Sequence, residues 1–261
     1  MVEEPSAEGG LPFVAPCRAL PVRAAFKWLR EGAADLRRAP RQSLAYGVPI
    51  ALASAAIIAI AWLYGTYWSV LILLSGFVFV GPMMAVGFYS LSRQLELGQR
   101  PSLSVAVADE RRVFATMMVF SLGLLVVFLV WARAGSLLHV FYPDDSDAGL
   151  REFVTFFGIG TAIGAIFSAI TFAFSAFALP MITDRQCDAV TAVVTSVNAV
   201  LRNKRAMLVW GACIGAAVLA GFLLAIVGLA VTIPLIGHAT WHAYEDTIDA
   251  GAWPRHPRAD T

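Results

Sequence analysis

Apolar residues run in six long blocks separated by short, base-rich connections. Each block approaches the roughly 20 residues that a helix needs to cross a hydrocarbon core. They lie near Leu44–Tyr64, Tyr67–Leu91, Val113–Trp131, Phe153–Leu179, Ala206–Ala225 and Val227–Tyr244. The last two are nearly continuous: Gly221 and Gly228 offer a tight turn between them, and one long tilted helix is the alternative. Two shorter stretches carry the period of amphipathic helices. Phe26, Leu29, Ala33 and Leu36 share a face after Pro21, a favourable first-turn proline. Val190, Val193, Val194, Val197 and Leu201 share another, after Thr183-Asp184-Arg185-Gln186, which fits a capping box.

Basic elbows precede each pair of blocks: Arg37-Arg38-Ala39-Pro40-Arg41, Glu110-Arg111-Arg112 and Arg202-Asn203-Lys204-Arg205. Each even-numbered block carries a proline near one end, Pro82, Pro180 and Pro234. Proline removes a backbone donor and kinks a helix, so three bends at similar depth are expected. The pattern predicts an all-α polytopic membrane helix bundle of about six transmembrane helices in three hairpins, each preceded by a cytoplasmic amphipathic or basic elbow helix. Residues 1–19 are expected to be a disordered cytoplasmic tail, 20–249 a single membrane domain, and 250–261 a second tail. Small residues at spacing four, Gly160, Gly164 and Ser168 with Gly211 and Gly215, read as packing seams between helices of the chain, with a homodimer interface as the alternative.

Composition agrees with the pattern. Hydrophobic residues make up 59% of the chain and charged residues 14%, whereas soluble domains hold about 25% charged residues. The net charge of +1 gives no reason to expect nucleic acid as a partner. Charge placement says more than charge total. Seventeen of the nineteen Lys and Arg residues fall on one side of the expected topology; only Arg133 and Arg151 fall on the other, beside Asp144, Asp145, Asp147 and Glu152. The positive-inside rule then puts both termini in the cytoplasm. The bases beside the amphipathic helices suit an anionic inner leaflet; the alternative is that those helices pack on the ends of the bundle. Glu3, Glu4 and Glu8, with no apolar stretch among them, do not read as a signal peptide. Cys17, Cys187 and Cys213 lack ligand spacing and are expected as free thiols in packing roles.

Groups able to do chemistry concentrate in Pro234–Asp246. His238 and His242 are four apart and share a helix face, the spacing of two ligands to one metal. The glutamate of a metalloprotease motif is missing, because the pair reads His-Ala-Thr-Trp-His. The other reading is an interfacial belt, with Trp241 and Tyr244 at headgroup depth and Arg37, Arg38, Arg41, Arg202, Lys204 and Arg205 at the same boundary. The turn Tyr142–Asp147 lacks the glycine and distal glutamate of a calcium loop, and His139 before it is placed at the outer interface. The spans carry almost no ionisable residue at central depth, where ion and proton routes place one. No phosphate loop, nucleophile elbow or haem-attachment motif is present. Neither enzymatic activity nor a cofactor is expected.

Several strings nevertheless stand out: Gly81-Pro82, Gly87-Phe88-Tyr89, Ser92-Arg93-Gln94-Leu95-Glu96, Leu179-Pro180-Met181 with Asp184-Arg185, and above all Gly237-His238-Ala239-Thr240-Trp241-His242-Ala243-Tyr244. On these, from about Pro21 to Asp249, the chain resembles a bacterial family of predicted integral membrane proteins of unknown function. Some members carry the label of cytochrome c oxidase subunit I. Such a subunit is a much larger bundle with a full set of ligating histidines, and this chain has four histidines in all. The label therefore implies at most an association with respiratory genes. Two functional expectations follow. One is a non-catalytic accessory or assembly module of a larger membrane complex. The other is a lipid or small-molecule handler with a cavity near Pro82, Pro180 and Pro234.

Overall fold

The computed structural model describes residues 12–65, 82, 84–139, 150–224 and 227–257. Helix α1 spans Ala24–Arg38 and α2 spans Pro40–Tyr64. Helical residues 84–96 form α3. Then follow α4 (Leu103–His139), α5 (Leu150–Ser175), α6 (Ala178–Asp184), α7 (Ala189–Arg202), α8 (Lys204–Leu223) and α9 (Leu229–Thr247). There is no strand among the described residues, only the isolated bridges Cys17–Ile248 and Arg185–Arg255.

Four helical stretches are long and apolar enough to cross a membrane: Pro40–Tyr64, Leu103–Leu137, Phe153–Asp184 and Lys204–Leu223. They correspond to the first, third, fourth and fifth expected spans. The second, near Tyr67–Leu91, lies outside the described residues as far as residue 81, as do the acidic turn Tyr142–Asp147 and residues 1–11. The expected sixth span is not among the four. Its helix, α9, is apolar only over its first turns, and from Gly237 onward it carries two histidines, a glutamate and an aspartate. Two helices, not one tilted rod, occupy the last apolar stretch. Gly221 makes their close approach possible: a Cβ there would stand 2.5 Å from Leu229 Cδ2 and 2.7 Å from Thr232 Oγ1.

The elbows are short breaks. Ala39 alone separates α1 from α2, and Asn203 alone separates α7 from α8. The Asn203 amide holds that break by donating to Arg18 O and Ala199 O (both 3.1 Å) while its Oδ1 accepts from Leu20 N at 2.9 Å. The middle elbow is no break at all, since α4 runs straight through Glu110-Arg111-Arg112. Of the expected kinks, Pro234 lies deep in the interior of a long described helix. Pro180 is the third residue of α6, where a missing N–H costs nothing. The break before it, at Ala176–Phe177, is held by Ser196 Oγ, which accepts from Phe177 N at 3.0 Å and donates to Ala173 O at 2.7 Å. Pro82 is helical. A further proline, Pro49, sits within α2.

The core lies at one end, which we call the base. Here the start of α4, the ends of α3, α5 and α9, the starts of α2 and α8, and all of α1, α6 and α7 converge around Trp28, Trp210, Trp241 and Trp253. Neither expected tail is loose where it is described. Ala15 N donates to Thr195 Oγ1 (3.1 Å), Arg18 N to Thr247 O (2.8 Å), and His256 N to Asp184 O (3.1 Å). Ala15, Ala250 and Trp253 are buried. These segments dock because they carry small or aromatic residues that fill the base.

The amphipathic helices pack on the base mainly through faces other than the apolar ones, although Leu29 and Val193 reach the core. α1 buries Ala24, Ala25, Trp28, Gly32 and Asp35, and leaves Phe26 59% exposed. α7 buries Ala189, Thr191, Ala192, Thr195, Ser196 and Ala199, and leaves Val190 56% and Leu201 55% exposed. Close approach decides this: a Cβ on Gly32 would stand 2.6 Å from Ala239 N, so no larger residue fits between α1 and α9. The expected capping box is also displaced. Thr183 and Asp184 close α6, and Asp188 caps α7 by accepting from Val190 N and Thr191 N, both at 2.9 Å. The glycine seams are open: Cβ atoms on Gly160, Gly164 and Gly215 would have no neighbour within 4 Å, and one on Gly211 would only graze Phe172.

Candidate functional site

The second half of α9 sits at the centre of the base, and its histidines face α1, α2 and α3. His238 is fully buried. Its Nδ1 is 2.7 Å from Ser92 Oγ on α3, and its Nε2 is 2.8 Å from Ser43 Oγ on α2. Ser92 Oγ donates to Asp35 Oδ2 at 2.9 Å. The same oxygen lies 2.8 Å from His242 Nε2, and His242 Nδ1 is 4.0 Å from Glu31. A continuous hydrogen-bonded line thus joins four helices: Ser43, His238, Ser92, Asp35, His242.

Proton counting fixes its direction. A carboxylate only accepts, so the one Ser92 hydroxyl proton goes to Asp35. Ser92 Oγ must then accept from His238 Nδ1–H. In a neutral imidazole Nε2 is an acceptor, filled by the Ser43 hydroxyl. Ala39 O, which Ser43 Oγ also reaches at 2.8 Å, is already served by Ser43 N at 3.0 Å. Burial lowers the His238 pKa to about 4, with Asp35 opposing and His242 reinforcing the shift, consistent with the neutral form. For His242, burial also lowers the pKa, but the hydrogen bond and charge of Asp35, with Glu31 and Glu96, outweigh it and the net shift is upward.

This geometry does not suit the metal reading of His238 and His242. Both His238 nitrogens are spent on serines and the His242 Nε2 on Asp35, and no group of three or more metal-ligating side chains exists among the described residues. Ser92 is likewise held in the line: its proton goes to Asp35, one of its two lone pairs takes the His238 proton, and the residue is fully buried.

A second cluster lies beside the first. Asp184 is wholly buried at the end of α6; its Oδ2 accepts from Arg185 Nε (2.6 Å) and from Tyr244 OH (3.0 Å). Its Oδ1 faces Arg93 Nε at 3.6 Å and Arg255 Nε at 3.5 Å. Glu245, half-buried nearby, is pushed up to about 7 by burial and by Glu96 and Asp184, against Arg255 and Arg185. On the outer side, Asp246 binds Lys27 Nζ (2.7 and 2.8 Å) and Trp28 Nε1 (2.8 Å), fastening α1 to α9. The interfacial belt expected of Trp241 and Tyr244 is therefore corrected. Both are buried, Trp241 donating to Glu96 Oε2 at 3.2 Å. The bases Arg37, Arg38, Arg41, Arg202, Lys204 and Arg205 are all exposed around the base. The three cysteines are free, and burial, with Asp188 and Asp184, raises the Cys187 thiol to about 12.

Sequence reading named the two histidines but not Asp35, Ser43, Ser92 or Asp184. Asp35 carried a usable signal: it falls on the same face as Trp28 and Gly32. Ser92 and Asp184 stood inside strings already singled out.

Away from the base, a cleft of about 430 Å³ opens between α4 and α5, with Leu124, Phe128 and Trp131 on one wall and Gly164, Phe167 and Phe172 on the other. Ser168, Thr171 and Ser175 supply its polar groups.

Residues 70–184 match a family model described as a predicted integral membrane protein (DUF2189). The matched segment contains Gly81-Pro82, Gly87-Phe88-Tyr89, Ser92–Glu96 and Leu179-Pro180-Met181 with Asp184; the string Gly237–Tyr244 lies outside it. No curated protein and no solved structure matches the chain.

Proposed function

We propose that this integral membrane protein is a non-catalytic accessory or assembly module. Its base acts as a fixed knot that presents apolar helices to a larger membrane complex, a respiratory one among the candidates. One observation carries the reading. In each of the four spans only 22% of the most apolar stretch is buried, so the helices turn most of their residues outward, while His238, His242 and Tyr244 at the base are each engaged by partners on neighbouring helices. Small residues at open positions, Gly160, Gly164 and Gly215, let a neighbouring helix approach closely. With the exposed bases facing the cytoplasm, both termini lie on that side.

The test is purification from native membranes in mild detergent, with the mass of the particle measured. A stoichiometric second membrane protein, lost when Gly160→Leu and Gly164→Leu are introduced together, supports the module. A particle of one chain whose composition ignores that substitution refutes it. The cleft between α4 and α5 favours a second reading, lipid or small-molecule handling. None of Pro82, Pro180 and Pro234 lines the cleft. Lipid retained at fixed stoichiometry by the wild type and lost from Ser168→Leu favours that reading.

A further inference from the structure

Helix α7 is built inside out for a helix at a water-facing surface. Its buried face, around Ala192, Thr195, Ser196 and Ala199, is small and partly polar. Opposite, at the helical period, stand Val190 and Leu201, both exposed, and the part-exposed Val194 and Val197, with Val193 at the margin reaching the core. Water on that side would select polar residues there. Connectivity says what lies there instead. α7 is joined to the span α5 through the short buried helix α6 and leads through Asn203 alone into the span Lys204–Leu223. A helix set between two membrane spans at their shared end runs along the bilayer boundary.

Charge agrees. α7 holds no acidic residue beyond its cap, Asp188, and its far end carries the exposed bases Arg202, Lys204 and Arg205. Helix α1 provides the contrast. Opposite its buried face it presents Phe26 with Arg30 and Arg37, a surface with little to bury in hydrocarbon.

We infer that α7 is an interfacial membrane helix, its valine face sunk about 5–10 Å into the headgroup–acyl boundary of an anionic leaflet with Arg202, Lys204 and Arg205 on the phosphates. The occupant of this face is lipid, not protein. The inference rests on the two flanking spans and not on the module reading, so either can fail alone.

The experiment uses the full chain with Cys17→Ser, Cys187→Ser and Cys213→Ser, and single cysteines at Val190→Cys, Val194→Cys or Leu201→Cys. Each carries an environment-sensitive fluorophore in vesicles of phosphatidylcholine and phosphatidylglycerol. Nitroxide on the upper acyl chain should remove most of the emission at all three sites, and aqueous iodide little. Replacing Arg202, Lys204 and Arg205 by Gln should weaken the nitroxide effect in anionic vesicles and leave it unchanged in neutral ones. Strong iodide quenching places the face in water, and protection from both quenchers places it against protein. Quenching only by deep nitroxide makes the segment part of a span. Any of these three results overturns the inference.

Discussion

Ser43 and Ser92 clamp the same imidazole, yet they should not be equally important. Replacing either by Ala leaves His238 with one unpaired ring nitrogen. In Ser43→Ala that is the Nε2 lone pair, while Ala39 O keeps its bond from the residue 43 amide. In Ser92→Ala the imidazole can move its proton to Nε2 and donate to Ser43 Oγ, which turns to Ala39 O; the unpaired atom becomes Nδ1. To this point the costs match, about 1–3 kcal/mol for one unpaired buried group. Ser92→Ala also removes a hydrogen bond to the Asp35 carboxylate, worth about 1.5–3 kcal/mol when the acceptor is charged. Ser92→Ala should therefore be less stable than Ser43→Ala by about that amount. Equilibrium unfolding in mixed micelles reads the difference through Trp28, Trp210, Trp241 and Trp253, all buried in the base. Nitrogen-15 shifts of His238 should report Nδ1–H in the wild type and Nε2–H in Ser92→Ala. Equal costs, or a wild type already protonated on Nε2, would refute the proton count.

Three further outcomes test the packing and the charges. Gly32→Val should cost about 3 kcal/mol or more and expose α1 to trypsin at Lys27 and Arg30, whereas Gly215→Val, with no neighbour within 4 Å, should stay within about 0.5 kcal/mol; similar losses at both sites would contradict the α1–α9 contact. Asp188→Ala should cost about 1 kcal/mol in the same unfolding assay, and Thr183→Ala, if the more damaging of the two, would restore the displaced capping box. The raised pKa of His242 makes its contribution to stability complete below its ordinary 6.5 and lost as pH rises through the folded value. The wild type should accordingly lose more unfolding free energy over that window than His242→Gln, which keeps only the fall due to Glu245; parallel pH curves would show that the Asp35 contact stabilises nothing.

The long apolar blocks were legible because period and length are local properties. Four of them became spans, and the histidine pair does share a face of α9. What could not be read from sequence is which partner each face meets. Asp35 lies 207 residues from His242, and Ser92 lies 146 from His238, so no spacing rule joins them. The packing faces of α1 and α7 are not the ones that hydrophobic period marks, because Gly32 and the alanines of α7 are buried for being small. The end of the last apolar block is not legible because Leu229–Ile236 is apolar enough to suggest that the helix continues into lipid, whereas from Gly237 its polar side chains need protein partners.

That distinction accounts for where the core is. In hydrocarbon, a leucine gains nothing by leaving lipid for protein, so helices there associate through small residues and close packing. Burial of apolar surface is favourable only where water is the alternative. The chain places its largest buried residues, Trp28, Trp210, Trp241, Tyr244 and Phe177, at the base, and leaves Leu52, Trp62, Val119, Leu219 and Leu223 outward on the spans. The buried polar line through His238 belongs at the base for a related reason. Burial of a polar group is costly unless every donor finds an acceptor, and only where α1, α2, α3 and α9 meet are enough partners supplied to close it. A change on an outward span residue should therefore alter what the protein binds more than whether it folds. Changes in the line from Ser43 to His242 should do the reverse.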